Sequence, residues 1–184
     1  MDTMECILGR RSVRKYKPDA IKDDDLAKLL DAIRWSPSWA NAQPWEVIIV
    51  RDAEVRKKLQ AALPRGNPAK DAILSAPMVL AMCGRYNKSG VYKGNMVTSL
   101  GDWMMFDLGI ACQNLCLAAY SLGLGTVHVG YLENHKAASE ALGLPDDVTV
   151  VELIPVGYLE SIPNPPGRRQ LSEFVSHDRY GHRK

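Results

Sequence analysis

The chain has few of the features that mark a metal site, a disulfide scaffold or a separate nucleotide domain. Its four cysteines, Cys6, Cys83, Cys112 and Cys116, form no Cys-x-x-Cys pair and follow no regular spacing. We therefore expect no metal site, and free thiols in a reducing cytoplasm. The sequence also lacks the Gly-x-Gly-x-x-Gly fingerprint of a dinucleotide-binding domain and the Gly-x-Ser-x-Gly elbow of many hydrolases, so neither class has a supporting motif.

The sequence also has little net charge, no recognisable secretory leader and no internal linker. Lys and Arg number 23 against 21 Asp and Glu, which leaves a formal charge of +2 and gives no general argument for nucleic-acid binding. The N-terminus carries Asp2 and Glu5 and no apolar stretch, so we expect no secretory signal. Because no repeat or linker divides the chain, we expect one domain over 1–184.

Positive charge is concentrated in one short segment near the N-terminus. Five of the eight residues from 10 to 17 are Lys or Arg, and the hydroxyl of Ser12 lies among them. A planar guanidinium can bind two phosphate oxygens at once, and such charge-assisted bonds are roughly twice as strong as neutral ones. The segment therefore suits a bound phosphate, although a solvated basic face or a nucleic-acid patch would have the same composition.

Hydrophobic periodicity predicts helices and strands that alternate along the chain. Such alternation indicates an α/β or α+β sheet protein. A Gly-containing stretch with little periodicity, 86–100, is expected to be a mobile loop. The predicted helices cover 23–35, 54–63, 102–122 and 135–142, and the predicted strands cover 45–50, 78–83, 126–131 and 148–158.

The helix predicted over 102–122 is apolar on nearly every face. Such a helix could span a membrane, lie in a buried core or form a subunit interface. Asp107, Gln113 and Asn114 fall inside it, and an Asp near the centre of a membrane span costs ~2.5–3.5 kcal/mol on insertion scales. We therefore expect no membrane span. The helix must be covered by its own sheet or by a second subunit, and the second option predicts an obligate dimer.

Five segments of the chain resemble, in the same order, the nitroreductase family of FMN-dependent oxidoreductases. They cover nearly the whole sequence, and the first two at their spacing are the most specific. The resemblance implies an α+β fold of three layers (α/β/α), with a mixed, mainly antiparallel sheet flanked by helices and a long central helix at the dimer interface. The segments are 10–16 (RRSVRKY), 36–45 (SPSWANAQPW), 107–119 (DLGIACQNLCLAA), 123–126 (GLGT) and 155–157 (PVG).

The resemblance also implies where a tightly bound FMN would contact the protein. In this family FMN lies at the interface of a homodimer, with its phosphate held by the N-terminal arginine segment and by basic residues near the C-terminus. Arg14 corresponds to a position at the N1–C2=O edge of the flavin ring, where a cation stabilises the negative charge of the reduced ring. The phosphate contacts would come from Arg10, Arg11 and Ser12 with Arg168 or Arg169.

Further residues match the walls of the flavin site. The backbone around Gly130 would approach the ring, with a main-chain N–H directed at N5, because glycine allows close approach. Trp39 stands where small residues are usual, and His128 where proline or tryptophan is common. The ring-contacting set would be Pro37, Ser38, Trp39, Asn41 and Gln43 from the partner subunit, then Asn67, Lys70, His128, Val129 and Gly130.

Several of these residues also have simpler interpretations. Asn67 and Lys70 would be ordinary loop residues if the family spacing does not hold here. Arg168 and Arg169 would be a solvated pair in the tail, and His128 would be a hydrogen-bonded histidine at the end of a strand.

The resemblance implies that the chain is an NAD(P)H-dependent oxidoreductase. NAD(P)H would bind only transiently, and a small acceptor such as a nitroaromatic or a quinone would follow it in a ping-pong cycle that needs no dedicated acid or base. The alternatives are other flavin chemistries on the same scaffold, namely reductive dehalogenation, enone reduction or flavin breakdown. A more distant alternative is a non-enzymatic anion or nucleic-acid binder built on the basic segment.

Overall fold

A computed structural model describes residues 1–183, which form six helices and six strands together with two 3₁₀ turns. The helices are α1 Thr3–Gly9, α2 Asp23–Arg34, α3 Ala53–Ala61, α4 Ala72–Ser75, α5 Met104–Ser121 and α6 His135–Leu142. The strands are β1 Trp45–Val50, β2 Met78–Arg85, β3 Val91–Tyr92, β4 Asn95–Met96, β5 Leu124–Thr126 and β6 Val148–Tyr158, and the 3₁₀ turns are Trp39–Asn41 and Leu171–Glu173.

The main sheet has four strands in the order β1-β2-β6-β5, and every adjacent pair is antiparallel. Successive side chains of β2 enter two different hydrophobic clusters, one on each face of the sheet. The first cluster is covered by α3, α4 and α6, and the second by α2 and α5. Because both faces are buried, β2 is a continuous apolar run rather than an alternating one. The predicted three-layer α/β/α architecture is confirmed.

The prediction of a strand over 126–131 is wrong, because the ladder of β5 stops at Thr126. The antiparallel register continues beyond that point, since Thr126 faces Val156 and Val129 exchanges hydrogen bonds of 3.1 and 3.0 Å with Leu153. In that register Pro155 falls between the two pairs. Proline has no N–H to donate, so the ladder is interrupted there. Residues 127–131 are thereby left along the edge of the sheet.

Two regions differ from the sequence-based expectation near the N-terminus and before α5. The seven-residue helix α1 is too short to show periodicity, and it begins with a capping box in which Asp2 and Glu5 each accept a hydrogen bond from the other's backbone N–H. The stretch 86–100 contains a small hairpin, β3–β4, rather than an irregular loop. Ser89, just before that hairpin, is fully buried.

Helix α5 is covered by its own chain on one side only. Leu108, Cys112 and Leu115 pack against the sheet and α2, whereas the side chains of Met105 and Phe106 are 60% and 59% exposed. No helix within residues 1–183 is long and apolar enough to cross a membrane. The chain's own sheet therefore accounts for half of the apolar character of α5, and an exposed apolar stripe remains.

Candidate functional site

The basic N-terminal segment and the C-terminal tail meet in a pocket of about 290 Å³. Helix α1 ends at Gly9, with Arg10 as its C-cap, and the chain continues in an extended conformation beside β5, where the N–H of Val13 donates to the carbonyl of Thr126 at 2.9 Å. This pairing fixes the direction of the basic segment along the edge of the sheet. The pocket is lined by Arg10, Arg11, Ser12, Arg14, Pro163, Asn164, Pro166 and Arg168.

Some guanidinium nitrogens in this pocket are buried without a partner among residues 1–183. They are Nε and Nη1 of Arg10 and Nε of Arg11. Arg11 uses Nη1 to donate to the carbonyls of Leu8 and Arg10, at 2.7 and 2.9 Å, and so closes the end of α1. A buried cationic donor without an acceptor is destabilising. The arrangement therefore calls for an anion, with Arg10 as the side chain that has the most free donors.

The structure separates the two neighbouring arginines of the tail. Arg168 lines the pocket, and its Nη1 donates to the carbonyls of Pro166 and Gly167, each at 3.2 Å. Arg169 instead donates to the carbonyl of Glu173, and its guanidinium carbon lies 5.6 Å from the centre of the Phe174 ring. Of the two, Arg168 is the one that joins the N-terminal arginines.

A second group of expected site residues lies farther along the same sheet edge. Ser12 forms a parallel bridge with Thr126. His128 follows Thr126 by two extended residues, roughly 6.6 Å along this edge, whereas the N-terminal segment leaves the edge and pairs at Tyr16 with Leu159. An added Cβ on Gly130 would meet nothing closer than 3.9 Å within the chain. The fold of one subunit therefore does not itself require glycine there, and the backbone at Gly130 is left open to approach from outside.

His128 is held at both of its ring nitrogens. Nδ1 lies 3.0 and 2.9 Å from the two carboxylate oxygens of Glu152, and Nε2 lies 3.4 Å from Sγ of Cys116. Hydrogen bonding to Cys116 and to Glu152 raises the pKa of His128 to about 10, while burial acts in the opposite direction. Sequence reasoning did not identify Glu152 or Cys116 as partners, because both lie far from His128 in the chain and no spacing rule connects them.

The loop 36–43 is fixed to α5 by polar contacts at two points. Asn114 donates from Nδ2 to the hydroxyl of Ser36 at 2.8 Å, and Asp107 accepts from the N–H of Trp39 at 3.0 Å. Inside the loop the hydroxyl of Ser38 accepts from the N–H of Gln43 at 2.9 Å. The loop borders a separate pocket of about 380 Å³, lined by Arg34, Trp35, Ser36, Pro37, Asn41 and Gln43.

The backbone of this loop takes unusual conformations at several residues. Ala40, Asn41 and Gln43 have φ values of +44°, +57° and +47°, in the left-handed region that residues other than glycine rarely adopt. Such conformations persist only where the surroundings hold them in place. Within one chain the loop does not reach the arginine pocket, so any joint site with it would require a second subunit.

Asn67 and Lys70 do not line the arginine pocket. Oδ1 of Asn67 accepts from the N–H of Ala69 at 2.9 Å, as in a turn, and Nζ of Lys70 donates to the carbonyl of Leu63 at 3.3 Å. Within residues 1–183 these contacts are those of ordinary loop residues, and a cofactor role for this pair stays a prediction.

Asp107 connects two segments that sequence analysis treated separately. Its side chain is 1% exposed. One carboxylate oxygen accepts from the N–H of Trp39, and the other accepts from the hydroxyl of Ser89 at 2.5 Å. Asp107 therefore ties both the 36–43 loop and the segment before the β3–β4 hairpin to the N-terminal half of α5.

Replacing Asp107 with alanine is expected to lower the free energy of unfolding by about 2 kcal/mol. The reason is that the half-buried N–H of Trp39 and the fully buried hydroxyl of Ser89 would each lose a charged acceptor. For a chain of this length the melting temperature should fall by roughly 4–8 °C, measurable by calorimetry. Asp146→Ala is the matched control, because Asp146 is exposed. Equal melting temperatures for the two variants would contradict the role given to Asp107.

Comparison with known proteins agrees with this architecture. A sequence model of the nitroreductase family matches residues 7–158. An NADPH-flavin oxidoreductase of Vibrio harveyi is 30% identical over 183 residues, covering 97% of this chain and 75% of that protein. The crystal structure of a nitroreductase family protein from Clostridium difficile 630 superimposes with a TM-score of 0.82 at 29% identity, covering 97% of this chain and 99% of that one.

A second solved structure extends the similarity to a complex. The NADPH:FMN oxidoreductase of Vibrio harveyi complexed with NAD⁺ has a TM-score of 0.82 at 29% identity, covering 97% of this chain and 77% of that one. The family match covers most of the chain and includes the N-terminal arginines, α5 and the edge segment at 124–131. The chain belongs to the nitroreductase family.

Proposed function

We propose that this chain is an NAD(P)H-dependent oxidoreductase that binds FMN tightly and acts as a homodimer. The observation that carries the proposal is a pocket lined by Arg10, Arg11 and the tail arginine Arg168, in which the first two have buried guanidinium nitrogens without a partner among residues 1–183. Relatives named as flavin oxidoreductase and FMN reductase support the same assignment.

The residues of the pocket fit the phosphate end of FMN. A phosphate dianion accepts several charge-assisted hydrogen bonds at once, and the free donors of Arg10 supply them together with the hydroxyl of Ser12 and the guanidinium of Arg168. Arg11 contributes mainly charge, since its Nη1 is engaged with the end of α1. Because these donors come from both ends of the chain, the phosphate would also tie the tail to the N-terminal segment.

The ring end of the site would follow the sheet edge from Ser12 towards Gly130. Arg14 lines the arginine pocket together with Ser12, so a positive charge is available where the ring would begin. Gly130 is exposed, and its N–H donates to no backbone carbonyl within residues 1–183. When bound, FMN supplies the chemistry of electron transfer between a nicotinamide and an acceptor. The chain's part is to bind and orient the cofactor and to supply fixed charge.

A homodimer would complete the site. The exposed stripe of α5 is apolar, and Met4, Ile7 and Leu8 of α1 are exposed as well. Large exposed apolar side chains in such number mark an interaction surface. The loop 36–43, which lies apart from the arginine pocket of its own subunit, would then form a wall of the partner's flavin site.

The two substrates would use one space in turn. The sequence has no nicotinamide fingerprint, so NAD(P)H would bind transiently over the flavin and leave before a small acceptor enters, as in a ping-pong cycle. Nitroaromatics and quinones are the proposed acceptors. No general acid or base is assigned.

Purified protein is expected to be yellow, with about one FMN per subunit, and to oxidise NADH or NADPH when a quinone or nitroaromatic is present. Parallel double-reciprocal plots at varied acceptor would support the ping-pong order. Enones and halogenated aromatics belong in the same panel, because turnover confined to them would replace the proposed acceptor class. Colourless protein that takes up no added FMN would exclude the proposal.

A further inference from the structure

Cys116, His128 and Glu152 form a hydrogen-bonded chain across three elements at the ring end of the site. Cys116 belongs to α5, Glu152 to β6, and His128 follows β5. The carboxylate contacts one ring nitrogen at 2.9 Å, and the thiol lies 3.4 Å from the other. Both ring nitrogens thus have a partner, which fixes the ring plane, and the carboxylate of Glu152 is the acceptor for Nδ1–H.

The exposed fractions of these three side chains show which end of the hydrogen-bonded series faces solvent and which end is buried. The side chain of His128 is 35% exposed and that of Glu152 is 12% exposed, while Cys116 is fully buried. The His128–Glu152 pair therefore presents its imidazole outward, at the edge that continues to Gly130. The order thiol, imidazole, carboxylate is that of a nucleophile, its base and the group that orients the base. Because Cys116 is inaccessible, however, the arrangement does not suit a thiol nucleophile.

The other titratable groups around His128 do not oppose a positive charge on its ring. Burial, followed by the charge of Glu152, raises the pKa of the Cys112 thiol, so that side chain is neutral at physiological pH. Burial also raises the pKa of Tyr16, which lies near Cys116 and Arg14 and donates from its hydroxyl to the carbonyl of Val13 at 2.6 Å. Within the described residues, only Cys116 and Glu152 raise the pKa of His128, and no arginine or lysine lowers it.

We propose that Glu152 and Cys116 are positioning residues that hold His128 as an imidazolium at the ring end of the site, where it favours reduced over oxidised FMN. The proposal rests on the proposed function for its ligand, but the state of His128 belongs to the protein alone. Reduced flavin carries negative charge near N1, and a cation fixed close by stabilises it. Arg14 supplies one such charge, and His128 supplies a second whose presence depends on Glu152.

The first test uses the protein without FMN and follows His128 by NMR as pH is raised. In the wild type the imidazole should lose its proton near pH 10. In Glu152→Gln the carboxylate charge is absent, and the midpoint should fall towards the ordinary value of roughly 6.5. His135, which is exposed at the start of α6, serves as the internal control. A wild-type midpoint below pH 7, or one unchanged in Glu152→Gln, would overturn the proposal.

The second test measures the affinities for oxidised and reduced FMN in the wild type, Glu152→Gln and His128→Asn. Both variants should lower the preference for reduced FMN by about tenfold, which for a two-electron couple is a drop in potential of about 30 mV. Cys116→Ala should act in the same direction, because hydrogen bonding to Cys116 is the largest of the contributions that raise the pKa of His128. Equal ratios in all four proteins would overturn the proposal.

The two measurements separate failure of this inference from failure of the proposed function. If no form of FMN binds, the proposed function fails, and this inference fails with it whatever His128 does in the titration. If FMN binds equally well in every redox state and variant, the oxidoreductase assignment stands and only the role of His128 is removed. Circular dichroism of each variant shows whether the fold is retained.

Discussion

Alanine at both Arg10 and Ser12 is expected to lower the affinity for FMN by about a thousandfold. Arg10 has two buried nitrogens without partners in the described chain, and the Ser12 hydroxyl lies in the same pocket. Hydrogen bonds to a charged group contribute about 1.5–3 kcal/mol each, so losing three of them exceeds about 4 kcal/mol, which corresponds to three decades in Kd. Quenching of flavin fluorescence on titration into the protein measures the change.

The two tail arginines provide a matched pair of controls for this prediction. Arg168 lines the pocket, whereas Arg169 contacts Glu173 and Phe174. Arg168→Ala should therefore weaken FMN binding by about tenfold, and Arg169→Ala should leave it unchanged. The double variant should keep its dimer, since neither Arg10 nor Ser12 lies on the exposed face of α5. Full FMN content in the purified double variant would refute the phosphate site.

The elements with strong periodicity or a β-branched run were predictable from sequence. Strands β1 and β6 have the predicted limits, and α2 and α6 begin or end within a residue of them. The failures have local physical causes. The strand after Thr126 stops because Pro155 lies opposite, and Pro155 becomes its cross-strand neighbour only once the fold exists. Helix α1 is too short for a periodic signal and depends on its capping box.

The candidate site was predictable to the extent that its residues are adjacent in sequence. The composition of residues 10–14 suits an anion site without distinguishing it from a solvated basic face, and the structure was needed to place Arg168 rather than Arg169 in the pocket. Asp107 and Glu152 could not be found in this way. The role of a buried carboxylate in an apolar helix or strand depends on its hydrogen-bond partners. Asp107 contacts Trp39 and Ser89, and Glu152 contacts His128.

Helix α5 connects these separate observations. Its buried side holds the 36–43 loop through Asp107 and Asn114, and it holds His128 through Cys116. Its opposite side carries the exposed apolar stripe with Met105 and Phe106. The polar contacts that shape the candidate site and the surface proposed for dimerisation are thus two faces of one helix. A change confined to the exposed face can therefore test the dimer without disturbing the site contacts within a subunit.

Leucine at Gly109 is expected to convert the dimer to a monomer and to abolish FMN binding. Gly109 lies on the exposed face of α5, and a Cβ built there meets nothing within 4 Å in its own chain. A single subunit should tolerate the change and gain stability, because leucine is more favourable than glycine in a helix by roughly 0.8–1 kcal/mol. A partner helix packed at roughly 8–10 Å would meet the new side chain. Light scattering and FMN titration measure the two effects.

Lys58→Leu, on an exposed position of α3, is the control and should remain dimeric and yellow. A Gly109→Leu protein that stays dimeric with full FMN content would show that α5 does not form the interface.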